Sequence, residues 1–242
     1  MAKIGDIDKN LKVKSKIEKD NLVMLNPNEK PFSIFGVFYE NGYKRMDTKI
    51  AEQTSAGVLH LHTNTSGGRV TFETDSPYVA ISVKGEKTLF PHMPLTGTAG
   101  FDLYLYEDGA LTYWKSFVPP TDKKKSWESV VEFADRKMRK ILIHFPLYSN
   151  VNALYIGLDK DSTVNEFNPY APDAPVVYYG SSITQGGCVS RPASMYSNIV
   201  CRALDCDNVN LGFSGQARLD LVMADVMARA DAALYIVDPV WN

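Results

Sequence analysis

The chain has 242 residues, 45% of them hydrophobic, with 26 Lys and Arg against 28 Asp and Glu and a net charge of −2. This composition excludes intrinsic disorder and leaves enough apolar material for a sizeable core. A balanced charge sets up no global field for phosphate backbones or anionic lipid, so neither nucleic acid nor a membrane is expected as a partner. No apolar run reaches the roughly 18–20 residues that a bilayer crossing needs, and the opening MAKIGDIDKN has no hydrophobic stretch after its charges. As written the chain is expected in the cytoplasm; a periplasmic or secreted protein with its signal removed would read the same way. Cys188, Cys201 and Cys206, an odd number in one short region, predict reduced core thiols rather than a disulfide framework.

From about residue 31 to residue 158 the sequence reads as short strands. The runs 58–62, 69–73, 79–83, 100–106, 129–133 and 140–145 are rich in β-branched and aromatic residues. Turn signals divide them, among them Ser66-Gly67-Gly68, Asp75-Ser76-Pro77 and Glu107-Asp108-Gly109. This pattern predicts an antiparallel β-sandwich of the jelly-roll kind over 1–165. The stretch NEFNPYAPDAP, with three prolines, reads as a junction.

A second domain, 166–242, follows with a different pattern. Val176 to Tyr179 is a continuous β-prone run, and Met195, Ile199, Val200, Ala203 and Leu204 recur at helical spacing. A short strand at 209–211, a helix carrying Leu219, Val222, Met223, Val226 and Ala230 on one stripe, and a strand at 232–237 complete the series. Strand, helix, strand, helix, strand predicts a parallel sheet, the first part of a doubly wound, flavodoxin-like α/β domain. The fold class is therefore α/β plus all-β.

In such sheets the working loops follow the carboxyl ends of the strands. The first is Gly180-Ser181-Ser182-Ile183-Thr184-Gln185-Gly186, the second Asn210-Leu211-Gly212-Phe213-Ser214-Gly215, and the third Asp238-Pro239-Val240-Trp241-Asn242. Ser182 stands where a helix begins, so its hydroxyl can face a cleft near stabilising N–H groups. Gly215 has no Cβ to obstruct a substrate approaching its N–H. Asn242 carries an amide donor. Together they describe a nucleophile with an oxyanion hole.

The order GSSITQGG, NLGFSG, DPVWN resembles the first three blocks of the SGNH (GDSL-type) hydrolases. Gly100-Phe101-Asp102-Leu103-Tyr104 resembles the GxDLY signature of a β-rich domain that precedes a subgroup of these esterases, and Cys188, Arg191 and Pro192 resemble that subgroup's continuation after its serine. The resemblance implies Ser182 as the nucleophile, with the N–H groups of Ser182 and Gly215 and the Asn242 amide as the oxyanion hole. It implies no cofactor and no metal, and a carboxylic ester as substrate, with O-acetyl or short-chain acyl groups on carbohydrate expected. The Gly180-Ser181-Ser182 start departs from Gly-Asp-Ser only at the neighbour of the nucleophile.

The family's last block, a histidine three residues after an aspartate, has no match. His60, His62, His92 and His144 all lie in the β-rich half, and none has an aspartate three positions earlier. This predicts a fragment of a longer enzyme, inactive without its general base. It also predicts that the apolar strand 232–237 lacks the neighbour it would have in a complete sheet. The alternative is a non-catalytic carbohydrate- or protein-binding β-sandwich protein.

Other features carry weaker readings. His60 and His62 would share one face of a strand but have no third ligand nearby. Lys123, Lys124 and Lys125 read as a solvated loop, and Asn64-Thr65-Ser66 matches a glycosylation acceptor only in a secretory setting. Trp114, Tyr104, Tyr106 and Tyr113 read as packing aromatics, with a sugar-stacking platform as the alternative. There is no G-x-S-x-G elbow, no Walker loop and no G-x-G-x-x-G after a strand.

Overall fold

The structure, a computed structural model, describes residues 2–3, 15–122, 124–171 and 174–240. In chain order, β1 (Ala2–Lys3), β2 (Leu22–Leu25), β3 (Ser33–Phe35) and the ribbon of β4 (Phe38–Tyr39) and β5 (Tyr43–Lys44) lead to helices α1 (Thr48–Thr54) and α2 (Ala56–Leu61). Then come β6 (Arg69–Thr74), β7 (Tyr78–Lys84), the single turn α3 (Leu95–Thr98), β8 (Phe101–Glu107) and β9 (Ala110–Phe117). After these run β10 (Ser126–Glu132), β11 (Arg139–His144), β12 (Ala153–Asp159) and β13 (Thr163–Asn165).

These strands make two antiparallel sheets. One runs β1-β13-β6-β11-β8-β9, with β3 also on β6; the other runs β10-β7-β12-β2. Alternation decides which side chains meet between them: Val70 and Phe72, Leu103 and Leu105, Ile141 and Ile143 from one sheet face Val79, Ile81 and Val83, Leu154, Ile156 and Leu158 from the other. Asp108 and Gly109 both have positive φ, 51° and 81°, which suits the tight hairpin joining β8 to β9.

The C-terminal part comprises β14 (Val176–Gly180), α4 (Ser182–Gln185), α5 (Tyr196–Ala203), β15 (Asn208–Gly212), α6 (Leu221–Arg229) and β16 (Leu234–Asp238). Its three strands are parallel in the order β15-β14-β16. The first strand in sequence is thus central, and every residue of it is buried.

Three local expectations are corrected. The run 58–62 is not a strand: residues 56–61 form α2, because Asp47 caps α1 by accepting from the N–H groups of Lys49 (2.8 Å) and Ile50 (3.2 Å), and Ser55 caps α2 through Val58 N–H (3.1 Å). On a helix His60 and His62 lie about 200° apart, so they share no face. His62 is buried, bonded to Thr48 Oγ1 and the Leu59 carbonyl. On α5 the buried residues are Ser197, Asn198 and Cys201, whereas Ile199, Val200 and Leu204 are exposed. The reason is that α5 turns its polar side toward a buried network in which Asn198 bonds His144 of β11 (3.3 Å) and Asn208 of β15 (3.1 Å). Finally, Cys201 and Cys206 are buried free thiols, but Cys188 is exposed with φ +64° and is not a core residue.

Helices α1 and α2 sit between the two parts. Met46, Ala51 and Val58 pack with Val177, Tyr179, Leu211, Phe213 and Met223, so residues from the β-rich half form a helical layer over the parallel sheet. On β16, Leu234, Tyr235 and Val237 are exposed, and among the described residues β16 pairs only with β14. Asn64 is buried and bonded to Asn150 and Gln185, which leaves no room for a glycan. Tyr104 is buried and Tyr106 packs on Phe167, so the four aromatics form no common platform. Lys123 lies outside the described residues.

Candidate active site

The ends of the three parallel strands are in register: Gly180 pairs with Gly212 on one side and with Asp238 on the other. This brings the three sequence blocks to one carboxyl edge. Ser181 N–H donates to the Asp238 carbonyl (3.2 Å), and Phe213 N–H to that of Gly180 (2.8 Å). Ser182 opens α4 and is partly exposed; Ser181 caps the turn by accepting from Ile183 N–H (3.2 Å). The close packing needs glycine. A Cβ at Gly212 would lie 2.3 Å from the Gln185 nitrogen, and one at Gly180 would lie 2.3 Å from Thr184 Oγ1 and 2.5 Å from the Asp238 carbonyl oxygen. Gly186, with φ +93°, ends the turn, and Gly187 N–H returns to the Ser182 carbonyl (2.7 Å).

Side chains not singled out from the sequence hold this edge together. Gln185 is fully buried: its amide donates to Asn64 Oδ1 (3.1 Å) and the Leu147 carbonyl (3.2 Å), and its oxygen accepts from Ser214 N–H (2.9 Å). One residue of the serine block thereby fixes both the glycine loop and the β-sandwich. Asn210 donates to the Thr184 carbonyl (2.7 Å) and accepts from Gly212 N–H (2.9 Å).

Behind the loop lies Arg45. Its guanidinium donates to the carbonyls of Gly212 (2.6 Å) and Leu61 (2.8 Å) and stacks over Phe213 at 4.7 Å. Burial lowers its pKa to about 9, so it remains a cation at neutral pH, solvated by carbonyl oxygens. From the sandwich side, the Tyr148 hydroxyl donates to the Ser182 carbonyl (3.3 Å), and burial raises its pKa so that it keeps its proton.

Gly215 has φ +70°, and among the described residues nothing stands within 4 Å of where a Cβ would be. Asn242 lies outside the described residues. His60 and His92 line a cleft beside Tyr148 and Ser214, while His62 and His144 are buried in structural bonds. Burial, with Arg69 and Arg202 nearby, holds the His144 pKa well below the usual imidazole range. Among the described residues no histidine hydrogen-bonds the Ser182 hydroxyl.

The upstream signature has its own task. Asp102, completely buried on β8, accepts from Ser116 Oγ (2.8 Å) and from Ala193 N–H (3.0 Å), with Arg191 Nε at 4.0 Å. Arg191 in turn lies 4.3 Å from the Tyr113 ring centre. The motif thus clasps the segment after the serine block. Thr96 Oγ1 adds a bond to the Ser190 carbonyl (2.5 Å), and a Cβ at Gly97 would meet the Val189 carbonyl oxygen at 2.3 Å.

An antiparallel sandwich fused to a parallel sheet, with glycine-rich turns after its strands, is the fold of the GDSL-like hydrolases. Residues 22–164 match the GxDLY N-terminus of SGNH hydrolase-type esterases, and residues 173–242 match the GDSL-like lipase/acylhydrolase family. The chain belongs to the SGNH hydrolase-type esterases that carry a GxDLY N-terminal domain. Among solved structures it is similar to a GDSL-like lipase from Bacteroides ovatus ATCC 8483, with 28% identity, a TM-score of 0.84, and coverage of 92% of this chain and 65% of that one. It is also similar to a salicylyl-acyltransferase from a tetracycline biosynthetic pathway, at 18% identity and TM-score 0.70, with coverage of 90% and 62%. A family two carbohydrate esterase from Cellvibrio japonicus follows at 10% identity and TM-score 0.51, with coverage of 80% and 53%. No curated protein matches. The chain spans less than two thirds of the length of each of these structures.

Proposed function

We propose that the whole protein is a serine esterase in which Ser182 is the nucleophile and the N–H groups of Ser182 and Gly215, with the Asn242 amide, receive the oxyanion. The observation that carries this reading is the register of Gly180, Gly212 and Asp238, which gathers three separate blocks at one edge. In the reaction the Ser182 Oγ forms a bond to the ester carbonyl carbon as its proton passes to a histidine base. The carbonyl electron pair moves onto oxygen, where the N–H donors stabilise it. Collapse breaks the bond to the alcohol oxygen, which takes up the proton, and water then releases the acid and restores Ser182. The family's last block supplies the histidine, and no histidine of this chain matches its spacing.

O-acetyl or short-chain acyl groups on carbohydrate are the first substrates to test; the likeness to carbohydrate esterases speaks to the fold alone. The test is hydrolysis of 4-nitrophenyl acetate and of acetylated sugars by the whole protein. Turnover that falls by about 10⁴–10⁶-fold in Ser182→Ala is the expected result. Turnover unchanged in that variant would refute the assignment.

A further inference from the structure

We infer that the groove beside Ser182 receives an uncharged aromatic group of the ester, an inference that rests on the esterase reading above. The groove has a volume of about 360 Å³ and shares Tyr148 and Ser214 with the candidate site. An acetyl group would occupy only a small part of it.

The β-rich half supplies one wall and gives it aromatic character. Phe90 and His92 stack with ring centres 5.5 Å apart and planes at 29°, and Phe90 meets Tyr148 edge-on at 6.2 Å and 81°. Met93 lies beside them, and His60 with Gln216 lies on the same groove. Phe90 is 42% exposed, so apolar surface is left open in the groove. Offset and edge-to-face contacts are how a further ring would be accommodated by this corner.

Among the described residues the lining holds no Asp, Glu, Lys or Arg. A cationic substrate group would find no carboxylate among these residues, and neither would a sugar, for which a carboxylate is the strongest acceptor of hydroxyl groups. The chemistry that fits is therefore a neutral ring with its ester carbonyl directed toward Ser182. The ring could belong to the acyl half or to the alcohol half. With the ring on the acyl side a sugar could still be the alcohol.

Binding can be separated from turnover by titrating the Ser182→Ala form of the whole protein with methyl benzoate, benzyl acetate and 6-O-acetylglucose, followed by ligand-observed NMR. At least one aryl ester is expected to bind ten times or more tighter than the sugar acetate. Adding Phe90→Ala should weaken that aryl ester about fivefold or more and leave 6-O-acetylglucose within twofold. Methyl benzoate as the tighter ligand places the ring on the acyl side, and benzyl acetate on the alcohol side. Equal or tighter binding of the sugar acetate, no binding of either aryl ester, or indifference to Phe90→Ala would overturn the inference. Aryl binding in a protein whose wild type shows no Ser182-dependent hydrolysis would keep the groove and remove the esterase reading. Hydrolysis without aryl preference would do the reverse.

Discussion

Gly212 shows how one missing carbon decides the geometry at the candidate site. Its Cβ would press on backbone atoms of Thr184 and Gln185, which cannot swing aside as a side-chain tip could. Gly212→Ala is accordingly expected to cost about 3 kcal/mol in urea unfolding. A cost under about 0.5 kcal/mol would mean that α4 is not seated against β15 as described. The blocks that carry Ser182 and Gly215 were legible in the sequence because each follows a strand, and the strand ends stand in register. Gln185, Asn210 and Arg45 were not, although the first two stand inside those blocks. Gln185 meets Asn64 across 121 positions, and Arg45 meets Asn210 across 165. Such partners are set by the fold and leave no local periodicity to read.

At the scale of elements, the clasp between β8 and the segment after the serine block gives the GxDLY signature a physical reason. Asp102 stays buried at a desolvation cost that raises its pKa, and its bonds to Ala193 N–H and Ser116 offset part of that cost. Asp102→Ala leaves the buried Ala193 N–H without its acceptor and takes one partner from Ser116, and should destabilise the protein by about 2 kcal/mol, measured by urea unfolding. A change below 0.5 kcal/mol would show that the clasp is dispensable. The parallel strands were readable as apolar runs ending in glycine or aspartate. Helix α2 was not, because the run 58–62 looks β-prone while its true signals, Asp47 and Ser55, are single capping residues. On α5 the helix forms as its apolar spacing predicts, but Ile199, Val200 and Leu204 of that pattern are exposed. Asn198 turns inward to bond Asn208 and His144, and Ser197 to accept from the Asn210 amide (3.4 Å).

For the whole molecule, the junction between the β-rich half and the parallel sheet is polar as well as apolar. Arg69, almost fully buried, pairs with Asp207 and donates to the Asn208 carbonyl (2.8 Å). His144 sits in this junction, uncharged because burial and the neighbouring Arg69 and Arg202 oppose its protonation. Its folded pKa lies below the ordinary value near 6.5, so the unfolded chain binds the proton first as pH falls. Stability is therefore full above about 6.5 and declines below it, by up to about 1.4 kcal/mol per pH unit for one group. His62, whose pKa burial also lowers, adds a contribution of the same sign. Thermal melts of wild type between pH 7.5 and 5 should show this decline, and His144→Gln should flatten it. An unchanged slope in the variant would place the pH dependence elsewhere. The sandwich and the parallel sheet were both expected from strand spacing and apolar runs, but the helical layer that residues 46–61 lay over the sheet was not. Hydrophobic pattern marks a face as buried without naming what covers it.

The most direct measurement is reaction of the whole protein with a fluorophosphonate, followed by digestion and mass spectrometry. A single phosphonylated serine is expected, at Ser182, and lost in Ser182→Ala. Modification at Ser181 or Ser214 instead, or none while acetyl-ester hydrolysis persists, would contradict it.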